Sequence, residues 1–307
     1  MKISLVLGSG GARGYAHVGV IEELEERGHE IVAVAGASMG ALVGGAYAAG
    51  RLDALVEMAR KLSRTDVFMM MRPTLGRPGL VKGEAIMSMF SRIIGDARIE
   101  DLPVSYAAVA TDLMARREIW FHEGPLLAAI RASIAIPTVF TPVMMHGRLL
   151  VDGGLVNPLP MESSLRFDAD LTVAVSLFGK NHGLNAQSAT RETSDAGTDV
   201  ATVVSPRSNP LSWIPERLGE ALSRPRHPEM DDLFEPLPDD LDITDVMMIS
   251  LDVMQARIQA SRVAQNPPDV HIEVPTSTAN VLDMWQAAPV IELGRRLAIK
   301  EFDRLGL

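Results

Sequence analysis

A three-layer α/β/α sandwich around a mostly parallel sheet is the fold this sequence predicts, on three observations. Apolar runs of strand length alternate with stretches of helical spacing. The runs are continuous and rich in branched residues, as in strands covered on both faces. Two of them end in glycine-rich turns that lead straight into a helix, so their carboxyl ends are natural ligand positions.

Along the chain, "KISLVLGSGGARG" is a buried strand entering a tight loop, and "YAHVGVIEELEERG" sets Tyr15, Val18, Ile21 and Leu24 at helical spacing with Gly28 as the stop. "IVAVAGAS" is the second strand. "MGALVGGAYAAG" is a helix whose small residues let it lie close on a sheet, and "LDALVEMARKLS" is another helix. "TDVFMMMRPTLGRPGL" is punctuated by Pro73, Gly76, Pro78 and Gly79 and reads as a loop. "KGEAIMSMFSRIIG" returns to helical spacing. "VSYAAVAT" and "REIWFH" form a strand pair, and "GPLLAAIRASIAIP" is a helix ended by Pro137. "VFTPVMMHGRLLVDGG" is two short strands around a His146-Gly147 turn, the second delivering Asp152 at its end, and "DLTVAVSLF" is a further buried strand. A helix from about Asp242 to Ala264, a strand "VHIEV" and a helix "PVIELGRRLAIKEFDRL" close the chain.

Residues 179–240 differ. They hold seven of the 19 prolines and 11 acids against six bases, and read as an irregular, partly mobile excursion with a short helix near "WIPERLGEAL". The rest reads as a single domain over 1–307.

Composition narrows the function. A net charge of −10 excludes a nucleic-acid surface and disfavours charge anchoring on anionic lipid, so any peripheral membrane contact has to be apolar. With no cysteine there is no disulfide framework, thiolate nucleophile or Cys-ligated metal. The first apolar run is too short for a signal peptide, and no window of 18 residues is apolar and uncharged; the expectation is a cytoplasmic protein without a transmembrane helix.

Three glycine-rich stretches can carry chemistry. In Gly36-Ala37-Ser38-Met39-Gly40, a strand-to-helix turn would strain the serine, and the glycines would relieve the clash with neighbouring backbone. Ser38 is then a nucleophile at a helix N-terminus, or an incidental serine in a tight turn. In Gly8-Ser9-Gly10-Gly11-Ala12-Arg13-Gly14 a dinucleotide fingerprint fails, since its last glycine arrives one residue late and no acid ends the second strand. A run of backbone N–H groups suits an oxyanion hole instead, with Arg13 either adding positive charge at the mouth or lying on the surface. None of the histidines at 17, 29, 122, 146, 182, 227 and 271 is well placed as a base; His17 is near the glycine loop but fits a packing role better. Asp152, in Asp152-Gly153-Gly154, is the other base, or a plain turn residue.

Together, "GSGGARG", "GASMG" and "DGG", with "ASIAIPTVFTPVMMHGRLLVDGGLVNPLP", resemble the patatin-like phospholipase family, in its bacterial branch near the catalytic domain of neuropathy target esterase. The resemblance covers residues 1–178 and, more loosely, the tail. It implies a Ser–Asp dyad of Ser38 and Asp152, and an oxyanion hole on Gly10, Gly11, Ala12, Arg13 and Gly14 beside the elbow residues Gly36, Met39 and Gly40. It implies hydrolysis of fatty-acyl esters of lipids, phospholipid or lysophospholipid, without metal or cofactor. Ser9 stands where many members have a further glycine, yet the backbone donors remain. Beside it, Val67, Phe68, Met69, Met70 and Met71 form an apolar cluster; Phe68, Met69 and Met70 are acyl-chain contacts, or the loop tucks against the core. A non-catalytic scaffold on the same fold, an acyltransferase and an ordinary histidine-dependent hydrolase are the rivals.

Overall fold

The structure, a computed structural model, describes residues 1–70, 84–162, 168–179 and 243–307. The glycines and prolines at 73–79, Met71 and the excursion from 180 onward lie outside them. One compact unit is built from Met1–His182 and Val246–Leu307.

Its centre is an eight-stranded mixed sheet in the order β5-β6-β3-β2-β1-β7-β8, with β4 also pairing β3. Strands β1 (Lys2–Leu7), β2 (Glu30–Ala37), β3 (Ser105–Asp112), β7 (Leu171–Gly179) and β8 (Val270–Pro275) are parallel neighbours. Strands β4 (Arg117–Phe121), β5 (Val143–Met145) and β6 (Arg148–Asp152) are antiparallel additions around β3. The fold class read from the sequence is the one observed. The β5–β6 hairpin turns on His146 (φ 49°) and Gly147 (φ 74°), the two left-handed residues that a two-residue hairpin loop needs.

Alternation along the strands divides the core. Ile3, Leu5 and Leu7 of β1, with Val173 and Val175 of β7, join the main cluster under helices α1 (Ala16–Glu26), α2 (Met39–Ala48), α3 (Leu52–Lys61), α5 (Glu84–Ile94), α6 (Leu126–Ser133) and α8 (Ala287–Leu305). Val6 and Ala174 point the other way, to Leu159, Met161 and Val263 of α7 (Ile243–Gln265). These are the two outer layers.

Two expectations change. Residues 64–70 are helix α4 (Arg64–Met70), not loop, because Ser63 and Asp66 cap each other: the Ser63 amide and hydroxyl donate to Asp66 Oδ2 at 2.9 and 2.6 Å, and the Asp66 amide donates back to Ser63 Oγ at 3.2 Å. That is a capping box, legible in "SRTD". Helix α6 ends at Ser133, ahead of Pro137, where the serine hydroxyl turns to bond β3.

Helices α1 and α8 meet backbone to backbone: a Cβ on Gly19 would lie 2.1 Å from Ile291 O, and one on Gly294 2.1 Å from Ala16 O. Gly294→Ala is expected to lower the unfolding free energy by about 1–3 kcal/mol, since neither backbone can retreat without opening the helix pair. Chemical denaturation of the two proteins measures this.

Candidate active site

Leu7 and Gly36 are register partners, so the glycine loop after β1 and the turn after β2 leave the sheet side by side. At that turn Ser38 takes φ 54° and ψ −120°, a backbone conformation that costs a non-glycine residue roughly 1–3 kcal/mol. Its flanking glycines are steric requirements. A Cβ on Gly36 would lie 2.3 Å from the Gly40 carbonyl, and one on Gly40 would lie 2.1 Å from Leu7 O. The elbow is pinned from below, where the Ser38 amide donates to Ser133 Oγ at 2.9 Å and that hydroxyl donates to Val109 O at 2.6 Å. The Ser38 hydroxyl does not cap α2.

Strand register brings Asp152 to it. Residues 110–112 of β3 pair with β4 on one edge and β6 on the other, while residues 108 and 109 pair with β4 and β2. Hence β2 and β6 share one edge of β3, end to end. Ala37 partners Val109 and Asp152 partners Ala110, so the strands run head-on and deliver Ser38 and Asp152 to one point. There the Ser38 hydroxyl donates to Asp152 Oδ2 at 2.5 Å, and the Gly154 amide donates to Oδ1 at 2.7 Å. The Asp152 backbone is fixed as well: its amide donates to Ala135 O at 2.9 Å, and Thr111 Oγ1 donates to its carbonyl at 2.8 Å. Gly153 and Gly154 allow this approach; side chains there would strike Val109 O at 2.0 Å and Ser9 Oγ at 2.4 Å.

Both side chains are buried, Ser38 3% and Asp152 4% exposed. Burial pushes the Asp152 carboxyl up to about 7, against the opposing pull of the hydrogen bonds from Ser38 and Gly154. A carboxylate poised near neutrality is a competent proton acceptor for a hydroxyl at this distance.

The sequence profile of the Patatin-like phospholipase family matches residues 5–165, a span that includes the glycine loop, the elbow and Asp152. The chain belongs to the patatin-like phospholipase family. An uncharacterized NTE family protein of Mycobacterium bovis is 39% identical over 331 residues, covering 98% of this chain and 91% of its own. The human patatin-like phospholipase domain-containing protein 6 is 32% identical over 181 residues, 57% of this chain but 13% of its own. Among solved structures, VipD from Legionella pneumophila aligns over 99% of this chain and 66% of its own, with 14% identity and a TM-score of 0.44, a likeness too weak to build on.

The patatin-like chain uses its glycine loop selectively. Residues Gly11–Tyr15 form a 3₁₀ helix that the sequence did not announce. Gly10 (φ 154°) and Gly11 (φ 60°) line the cleft with Ser38 and Asp152. The Ala12 amide is engaged, donating to Val281 O at 2.9 Å. Gly14 leaves room for Met39, whose side chain a Cβ would meet at 2.2 Å. Arg13 is neither at the mouth nor on the surface. Its side chain is buried, donates to Gly10 O at 3.1 Å, pairs with Asp252 of α7 at 2.8 Å and lies over the Phe178 ring. The guanidinium therefore holds the loop, and its charge is met by Asp252. His17 is buried too, bonds Gly8 O at 2.9 Å, and is pushed down to about 4 by desolvation, which the Gly8 contact only partly offsets. It is a neutral loop anchor.

Two chambers meet at Ser38, Gly11 and Ile136. One encloses about 710 Å³, its mouth included, and its walls are apolar: Leu42, Leu55, Met58, Phe90 and Phe140 among others. The second encloses about 400 Å³ and mixes Ser9, Asp252 and Gln255 with Pro137 and Leu155. Of the expected acyl contacts, Met70 lines the apolar chamber, joined by Val67. Phe68 and Met69 do not: one turn of α4 places two residues inward and two outward, and these face solvent, 70% and 60% exposed.

Because the folded protein holds a proton on Asp152 that the unfolded chain releases between about pH 3.8 and 7, this group's stabilising contribution is complete below pH 3.8 and is lost as pH rises through 7. Asp152→Asn, which keeps the shape without the buried charge, is expected to be more stable than wild type by ~4 kcal/mol above pH 7, converging with it near pH 4. Thermal melts across that range read the difference. Ser133→Ala, which leaves the Ser38 amide and Val109 carbonyl unpaired, should cost about 1–3 kcal/mol at every pH.

Proposed function

We propose that this protein is a serine lipid acyl hydrolase working through a Ser38–Asp152 dyad. Ser38 Oγ attacks the acyl carbonyl carbon as Asp152 accepts its proton. The oxyanion is met by the Gly10 and Gly11 amides and the N-terminus of α2. Asp152 returns the proton to the departing alcohol, leaving acyl-Ser38. A water then gives its proton to Asp152 and attacks the ester, and the same proton restores the Ser38 hydroxyl as the fatty acid leaves. The substrates are fatty-acyl esters of phospholipids or lysophospholipids. Membership of a phospholipase family supports lipid hydrolysis in general terms.

The observation that carries this reading is the position of the Ser38–Asp152 contact where an apolar chamber meets one that also offers the polar side chains Ser9, Asp252 and Gln255. An acyl ester has that same division, with a long apolar chain on one side of the carbonyl and a polar alcohol on the other. The walls suit the chain through Met39, Met58, Met70, Met89 and Met284, which repack around chains of different shape.

Fluorophosphonate labelling tests it. Wild type should label at Ser38; Ser38→Ala should not, and Asp152→Asn should react about 100-fold more slowly or worse. Labelling that survives Ser38→Ala sinks the proposal, and a loss on a His→Ala change other than at the loop anchor His17 would point to an ordinary triad. The rate should rise with pH to a plateau, half-maximal near the Asp152 value of about 7, since only the carboxylate accepts the proton. Product analysis with both water and an alcohol acceptor then separates hydrolysis from acyl transfer.

A further inference from the structure

Two helices that border the chambers carry large apolar residues on their outward sides as well as their inward ones. In α7, Met248, Leu251, Asp252 and Gln255 recur at i, i+3, i+4 and i+7 and face the second chamber. The inward face is stitched down by polar bonds: Asp252 to Arg13, Gln255 to Ser9 at 2.9 Å, Gln259 to Ser176 at 2.8 Å, and Arg262 to Glu118 and Glu162. Opposite it, Val246, Met247, Ile249, Val253 and Met254 stand 44–58% exposed. A surface helix ordinarily turns such residues to the core.

The apolar exposure is local to the site. Beyond Gln255 the outward residues of α7 become Arg257, Ala260, Ser261 and Ala264, so the apolar stripe ends where the helix leaves the chamber. Helix α4 repeats the arrangement at the other chamber, with Val67 and Met70 inward and Phe68 and Met69 outward. These seven side chains are a majority of the 13 large apolar residues exposed among the described residues.

We propose that α4 and the first half of α7 form the surface by which this protein docks on a lipid interface, an inference that rests on the acyl-hydrolase reading. A lipid surface is the occupant the observations favour for three reasons. The exposed residues flank the two chambers rather than being scattered. No Lys or Arg lies among residues 246–254, the one basic residue of α4, Arg64, lies over the Trp285 ring, and the chain carries −10, so the contact is apolar and not electrostatic. Among the described residues no helix is long and apolar enough to cross a membrane, so these faces can lie in the interface but not span it. Docking there brings the chamber mouths to the acyl chains, sparing each chain a passage through water.

Sedimentation with phosphatidylcholine vesicles tests this, using the full-length Ser38→Ala protein so that binding is read without turnover. The protein should bind, equally at about 50 mM and about 500 mM salt. Ile249→Ser/Val253→Ser and, separately, Phe68→Ser/Met69→Ser should each lower the partition coefficient on the order of tenfold. As the chain has no cysteine, Met254→Cys carries a unique environment-sensitive fluorophore, which should shift to the blue on vesicles while one on Ser261→Cys does not. No binding, binding abolished by salt, unchanged partition in both double variants, or equal shifts at both labels overturns the proposal. In an otherwise wild-type chain both double variants should keep their fluorophosphonate labelling, which also shows that they fold. Vesicle binding without labelling in wild type would sink the hydrolase reading and leave the docking surface standing; labelling without binding would do the reverse.

Discussion

One edge of β3 carries two strands in succession, and the site depends on that sharing. β2 occupies the edge as far as Val109, and β6 enters from the opposite direction to take Ala110 onward. Parallel β2 must stop for antiparallel β6 to begin, so the junction is where two chain ends converge. Ser38 comes directly after one strand, and Asp152 is the last residue of the other. Glycines flank both because the junction leaves no volume: Gly36, Gly40 and Gly153 each sit where a Cβ would enter 2.0–2.3 Å of backbone.

Such a junction is costly to maintain. Ser38 is held at positive φ, and Asp152 is a buried carboxyl whose charge burial disfavours. The polar groups below the elbow are all matched: Ser133 serves both the Ser38 amide and the Val109 carbonyl, and Thr111 serves the Asp152 carbonyl. The strain and the raised pKa therefore persist because the surroundings over-determine them. These two features are the ones the proposed dyad would use: a serine hydroxyl held against a carboxyl whose pKa burial raises to about 7.

Helix α7 ties the loop to the outside. Asp252 and Gln255 reach the glycine loop through Arg13 and Ser9, while the residues between them on the other side of the helix are exposed and apolar. A side chain at the surface and one bonded to the loop thus share a single helical turn. Whatever positions α7 positions Gly10 and Gly11 as well.

Much was legible in the sequence, for local reasons. Strand and helix periods, the His146-Gly147 hairpin and the glycines around Ser38 and Asp152 are rules of a few consecutive residues, and each acts wherever the chain folds. The capping box at Ser63–Asp66 was equally local, and proline-and-glycine punctuation downstream concealed it. Tertiary structure decided what depends on distant partners. Arg13 becomes a buried strut only because Asp252, 239 residues on, meets it. The Ala12 amide is taken by Val281, and Phe68 and Met69 face outward because α4 has one inward side. Sequence could place Asp152 at a strand end; it could not say that the strand runs against β3, since hydrogen-bond register between distant strands is written in neither strand alone.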